Sequence, residues 1–167
     1  MDLKKYVYDK LDELEIEYIV MNHEAMFSEK DTKLNDFDNN IIVGKNLFLR
    51  NKNKTRYYLV MVPLTKRVKL VELSEKLSET RFSFANENEL DYYLKTTPGS
   101  VSYLNVITAD RINANYKNIT YIIDSELLKA AKVGFHPSDN TSTVVTTPDS
   151  IIKVFEQYNL NYYILDV

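Results

Sequence analysis

Two long apolar runs, "NIIVGKNLFLR" over residues 40–50 and "RYYLVMVPL" over 56–64, flank the polar "NKNKT". This pattern predicts a β-hairpin with a longer loop. It commits the chain to a sheet, because a lone two-stranded hairpin cannot bury its own faces in water. The remaining segments supply partners. Leu3, Val7, Leu11 and Leu14 recur at helical spacing, so residues 2–15 read as an amphipathic helix. "EYIVMNH" (17–23) reads as a short strand, and "FSEKDTKLNDF" (27–37) as a helix capped by Ser28. Two more helices are expected over 69–78 and 86–95, the second capped by Asn86. "TTPGS" (96–100) is turn chemistry, with Pro98 and Gly99 adjacent. Strands are expected at "VSYLNVIT" (101–108), "NITYIID" (118–124), "NTSTVVTT" (140–147) and "NYYILDV" (161–167). "DSELLKAA" (124–131) reads as a short helix, and Pro148 suits the first turn of another over 148–158. Strands and helices are interspersed without repeat or linker. The expectation is one mixed α/β domain over residues 1–167, with a mixed, largely antiparallel sheet flanked by helices.

Composition removes several chemistries. With no cysteine, the chain has no disulfide, thiolate metal site or cysteine nucleophile, which fits a reducing cytoplasm. Three scattered glycines cannot build a glycine-rich phosphate loop, and no G-x-S-x-G elbow is present. The charged N-terminus lacks a signal-type apolar core, and no run is long enough to cross a membrane. His23 and His136 are the only histidines, without an acidic cluster to complete a metal site, so no metal is expected. A net charge of -3 argues against non-specific coating of nucleic acid but leaves room for a local basic face. Residues 50–69 hold seven cations (Arg50, Lys52, Lys54, Arg56, Lys66, Arg67 and Lys69) and no acid. This stretch is either a solvated hairpin or a phosphate-facing ridge. The thirteen tyrosines mostly fall in apolar runs, which suits core positions better than base-stacking platforms. Lys45 interrupts a strongly apolar strand directly after Gly44, so it points to solvent or enters a cleft. "VGFHPSDNTSTVV" (133–145) gathers small hydrogen-bonding residues around His136, as a loop entering a buried strand or as a pocket wall.

Three stretches, "GKNLFLRNKNKTRYYLVMVP", "TPGSVS" and "GFHPSDNTSTVV", in this order and spacing, closely resemble the YbaK/ProX family of aminoacyl-tRNA deacylases. The family includes free-standing prolyl-tRNA editing proteins and the editing domain inserted in bacterial prolyl-tRNA synthetases. The likeness runs nearly end to end and is closest to the ProX-like, alanine-editing branch. It implies hydrolysis of the ester that joins a wrong amino acid to the terminal adenosine of tRNA, without cofactor and without a protein nucleophile. By this resemblance Lys45 is the key catalytic residue, holding the substrate's terminal phosphate or ribose end, with Asn46 supporting it. Gly99, Ser100, Val101 and Ser102 match the family's glycine loop, whose amides can face the carbonyl oxygen or the amine. His136 matches the pocket histidine, Asn140 and Thr141 brace the wall behind it, and Phe27 is an apolar contact. Lys52, Lys54 and Arg56 are the expected tRNA contacts. The implied partners are aminoacyl-tRNA, proline tRNA above all, and prolyl-tRNA synthetase, in the cytoplasm. Related readings are the same chemistry on cysteine or serine esters, and a tRNA-binding relative without turnover. Tyr103 stands where the family loop has proline, "LNV" departs from the usual continuation, and Glu24 follows His23 where proline is frequent.

Overall fold

The computed structural model describes residues 2–24 and 40–167. The expected helix over 27–37, with Ser28 and Phe27, lies outside them. The hairpin forms as read. Strand β2 (Ile41–Arg50) pairs antiparallel with β3 (Tyr57–Pro63), and every residue of β3 is buried. Strands β1 (Tyr18–Asn22), β4 (Ser83–Phe84), β5 (Ile119–Asp124), β6 (Lys132–Phe135), β7 (Ser142–Thr146) and β8 (Asn161–Leu165) complete an eight-stranded sheet. Its order is β1-β7-β6-β2-β3-β5-β8, with β4 on β2. Four of the seven pairings are antiparallel; β2–β6, β3–β5 and β5–β8 are parallel.

Helices α1 (Leu3–Glu13), α2 (Leu70–Lys76), α3 (Glu87–Leu94), α4 (Asn105–Arg111), α5 (Ser125–Leu128) and α6 (Asp149–Gln157) flank this sheet. Local chemistry sets their ends. The Asp2 side chain accepts from Lys5 N at the start of α1. Asn86 and Glu89 form a reciprocal capping box on α3, and Lys95 ends that helix in the left-handed region at φ 51°. Alternation along β2 and β3 sends side chains to two cores. Phe48, Leu59 and Met61 join the larger one, with Leu11 of α1, Leu94 of α3, Ile107 of α4 and Phe155 of α6. Leu49, Tyr58, Val60 and Val62 join a smaller one with Leu73 of α2 and Phe82.

One expected strand is corrected. Residues 101–108 do not form a strand; the chain turns at Ser102 and α4 begins at Asn105. Ser102 N donates to Asn105 Oδ1 at 2.6 Å and Ser102 Oγ accepts from Leu104 N at 3.2 Å, which starts the turn. Val106, Ile107 and Ala109 are all fully buried, so this helix has no polar stripe in its apolar run, and such a run reads equally as a buried strand. Short strands β4 and β6 and a 3-10 turn at Tyr116–Asn118 had no separate sequence signal.

Candidate functional site at an opening in the sheet

The site begins with how β2 divides its partners. Residues 41–43 pair with β6, residues 44–50 pair with β3 on the other edge, and residues 49–50 pair with β4. On the edge away from β3, no described strand pairs with residues 44–47. Ala85 N donates to Phe48 O at 2.9 Å on that same edge, so alternation turns the main-chain groups of Asn46 into the opening. Strand β6 leaves where Pro137 follows His136, since proline offers no amide to a ladder. At the mouth, the Phe135 ring lies against Gly44. A Cβ there would meet the ring atoms Cζ and Cε1 at 2.2 and 2.3 Å. The glycine is required by this close approach alone.

Register assigns the faces. Lys45 opposes Val62 of the smaller core, whereas Asn46 opposes Met61 of the larger one. The two adjacent residues therefore serve opposite faces of the strand, and Asn46 does not lie beside Lys45 on one surface. Val43 pairs with Gly134, so alternation puts His136 on the face of Lys45. Both side chains are half-buried. The carboxamide oxygen of Asn46 is buried without a hydrogen-bond partner, a condition that costs about 1–3 kcal/mol.

His136 Nδ1 donates to the Ser142 carbonyl at 3.0 Å, which leaves Nε2 as an acceptor. Burial lowers its pKa below the ordinary imidazole value, against the opposing pull of that carbonyl, and nearby His23 adds to the lowering. The two imidazole rings lie 6.1 Å apart. His23 donates from Nδ1 to the Glu24 carbonyl at 2.7 Å, and its Nε2 meets Thr143 Oγ1 at 2.8 Å, tying the end of β1 to β7. Behind His136 the loop is folded around Asp139. Its Oδ1 accepts from Thr141 N at 2.8 Å and Thr141 Oγ1 at 2.9 Å, while Lys4 of α1 lies 3.2 Å from Oδ2. Burial alone would raise the Asp139 pKa, but these contacts outweigh it and hold the carboxyl below its usual value. Thr141 thus braces the loop, and Asn140 is half-buried within it.

The glycine loop is tied to this wall. Gly99 adopts φ 88°, a conformation open to glycine. Ser100 N donates to Thr97 O at 3.1 Å, and Ser102 N is taken by Asn105. Within residues 99–102, the amides outside these bonds are those of Gly99 and Val101. Asn105 Nδ2 donates to Ser138 Oγ at 3.2 Å, joining the loop to the segment that follows His136. Asn105 is 1% exposed and was not singled out from the sequence. Its only signal there was a polar residue inside the apolar "YLNVIT". Tyr103, by contrast, is a core residue. Its ring packs edge-on against Phe135 and Phe155 at 5.1 and 5.9 Å, and burial raises its phenol pKa well above the ordinary value.

The basic hairpin is partly compensated. Arg50 pairs with Glu89, Lys66 with Asp124 at 2.6 Å and Glu126 at 2.8 Å, Arg56 with Glu79 at 3.5 Å and Lys69 with Glu72 at 3.6 Å. Among the described residues, Lys52, Lys54 and Arg67 make no ion pair. Asn51 builds the turn by accepting at Oδ1 from Thr55 N and Arg56 N, at 2.8 and 3.1 Å. This turn stands about 20 Å along β2 from Lys45. Among the described residues no cluster of three or more metal-ligating side chains occurs, and no helix is long and apolar enough to cross a membrane.

Known proteins resemble this chain. Prolyl-tRNA editing protein ProX of Acetoanaerobium sticklandii is 34% identical over 154 residues, covering 92% of this chain and 91% of that protein. Prolyl-tRNA synthetase associated domain-containing protein 1 of Danio rerio is 28% identical over 159 residues, covering 94% and 83%. The solved structure of hypothetical protein APE2540 superposes with a TM-score of 0.68 at 15% identity, covering 94% of this chain and 96% of its own. That of a candidate trans-editing enzyme for prolyl tRNA synthetase gives 0.69 at 14% identity, covering 99% and 97%. At those identities the structures speak for the fold alone. Residues 29–154 match the family model of the aminoacyl-tRNA editing domain, so the chain, with its opened mixed sheet and Lys45 and His136 on one face of it, belongs to the aminoacyl-tRNA editing domain family.

Proposed function

We propose that this aminoacyl-tRNA deacylase clears alanine from proline tRNA. Water adds to the ester carbonyl, the bond to the ribose oxygen breaks, and free alanine leaves with tRNA whose terminal hydroxyl is restored. An aminoacyl ester is already activated, so the protein must position and polarise rather than supply a nucleophile. Lys45 takes the phosphate or ribose end. The amides of Gly99 and Val101 are the loop donors suited to the developing oxyanion. His136 presents Nε2 as an acceptor for a substrate or water hydrogen, assisted by the ribose hydroxyl of the substrate itself. Asn140 and Thr141 complete the described part of the pocket, and Lys52, Lys54 and Arg56 meet the tRNA backbone.

The observation that carries this reading is the shared sheet face of Lys45 and His136 beside a stretch of β2 whose edge away from β3 meets no described strand. On this reading residues 1–167 form one editing domain that acts in the cytoplasm, without cofactor, on tRNA mischarged by prolyl-tRNA synthetase. The test is a deacylation panel of alanyl-, seryl-, cysteinyl- and prolyl-tRNA under one set of conditions. Alanyl-tRNA should be cleaved fastest and prolyl-tRNA spared. Discrimination among the small amino acids should be modest, since one methylene is worth about 1–3 kcal/mol. Equal cleavage of prolyl- and alanyl-tRNA would overturn the alanine assignment.

A further inference from the structure

We propose that the carboxamide oxygen of Asn46 reads the α-ammonium of the aminoacyl group, so that the site accepts esters with a free amine. This rests on the deacylase reading above and narrows its substrate class. Among the described residues, Asn46 Oδ1 is the one buried side-chain polar atom without a hydrogen-bond partner. Other buried polar groups near the site are bonded: Ser102 and Asn105 to each other and to the loop, and Ser142 Oγ to Asn22 Oδ1 at 2.9 Å. A buried acceptor left open at an opening in the sheet is a place prepared for a donor that arrives with a ligand.

Chemistry selects the donor. A carboxamide oxygen accepts only. An aminoacyl adenosine offers it three donors: the α-ammonium, a free ribose hydroxyl and the adenine amino group. The ammonium alone is charged, and hydrogen bonds to a charged donor are roughly twice as strong as neutral ones. Placement agrees. Lys45 and Asn46 serve opposite faces of β2, so the substrate's anionic phosphate and its cationic amine are drawn to different sides of one strand. A neutral amide also suits a site that must be stable between turnovers, where an aspartate would be a buried charge without a counterion.

The test pairs two esters of equal size on the same tRNA, alanyl and lactyl, in which a hydroxyl replaces the ammonium. Each enzymatic rate is divided by the uncatalysed rate of its own ester, because the ammonium also activates the carbonyl. Wild type should then favour alanyl over lactyl by about 5- to 13-fold, the margin of a charged over a neutral hydrogen bond, because the lactyl hydroxyl also donates. N46A should slow alanyl-tRNA more than lactyl-tRNA by that factor, and so erase the preference. N46D, which keeps an acceptor at the same place, should keep the preference. The ligand-free N46A protein should melt no lower than wild type, because the change removes an unpaired acceptor. Equal slowing of both esters by N46A, or a melting point lowered by several degrees, overturns the proposal. A wild type that cleaves neither ester removes the deacylase reading itself, and this proposal with it.

Discussion

Replacing Gly44 with alanine should be the most damaging one-carbon change in the strand that carries Lys45. Gly44 does not adopt positive φ, so backbone conformation contributes nothing to the cost. The cost is steric. A Cβ would meet Phe135 ring atoms at 2.2 and 2.3 Å, more than 1 Å inside ordinary contact. The ring has nowhere to retreat. Phe135 is 2% exposed and packs edge-on against Tyr103, itself 1% exposed and backed by Phe155. Overpacking of this kind costs about 3 kcal/mol, and the reduced freedom of the unfolded chain returns less than about 1. A net loss of about 2 kcal/mol should lower the melting temperature by about 4–8 °C in a chain of this size. Chemical denaturation of G44A, F135L and the double variant measures the contact. Leucine lacks the ring-tip atoms that clash, so the double variant should be less destabilised than the sum of the singles by at least about 1 kcal/mol. A G44A protein as stable as wild type, or strictly additive singles, would refute the steric account.

Three further outcomes are expected. K45A should fold normally and lose about 10- to 150-fold in deacylation rate, as for a lost charge-assisted contact; wild-type turnover by a folded K45A protein removes the lysine from the site. Neutralising Lys52, Lys54 and Arg56 together should raise KM for aminoacyl-tRNA and flatten its salt dependence while sparing a minimal aminoacyl-adenosine; equal losses on both substrates would place the damage at the pocket. Because the folded-state pKa of His136 is depressed, the unfolded chain binds more protons as pH falls below the ordinary imidazole range. Stability from this group is therefore full above that range and is lost on acidification through it, so H136Q should flatten the stability-pH slope in that window, and an unchanged slope would contradict the buried neutral imidazole.

The hairpin was legible because its strands are long, apolar and set apart by a polar turn. Helix α4 was not, because Val106, Ile107 and Ala109 are buried without a polar stripe. Strand β6 spans only Lys132–Phe135 and borrows its stability from β2 and β7 on either side. At the site, the motifs named Lys45 and His136, but only the register of β2 on β6 puts them on one face, and pairing register is not written in either segment. Asn105 escaped notice because its partners, Ser102 and Ser138, come from two loops that only the fold brings together. The seven-cation segment looked uncompensated because Glu79, Glu89, Asp124 and Glu126 lie outside it in sequence.

The stretch of β2 that no described strand pairs on its edge away from β3 also bears on solubility. An open strand edge invites another chain to add itself, and long exposed edges are aggregation sites. Here β6 closes one end of the stretch and β4 the other, leaving, among the described residues, four, 44–47, or about 13 Å. A typical intruding strand of about five or six residues is too long for that window. The bracketing strands can thus keep main-chain donors and acceptors available to a small ligand while denying them to a neighbouring polypeptide.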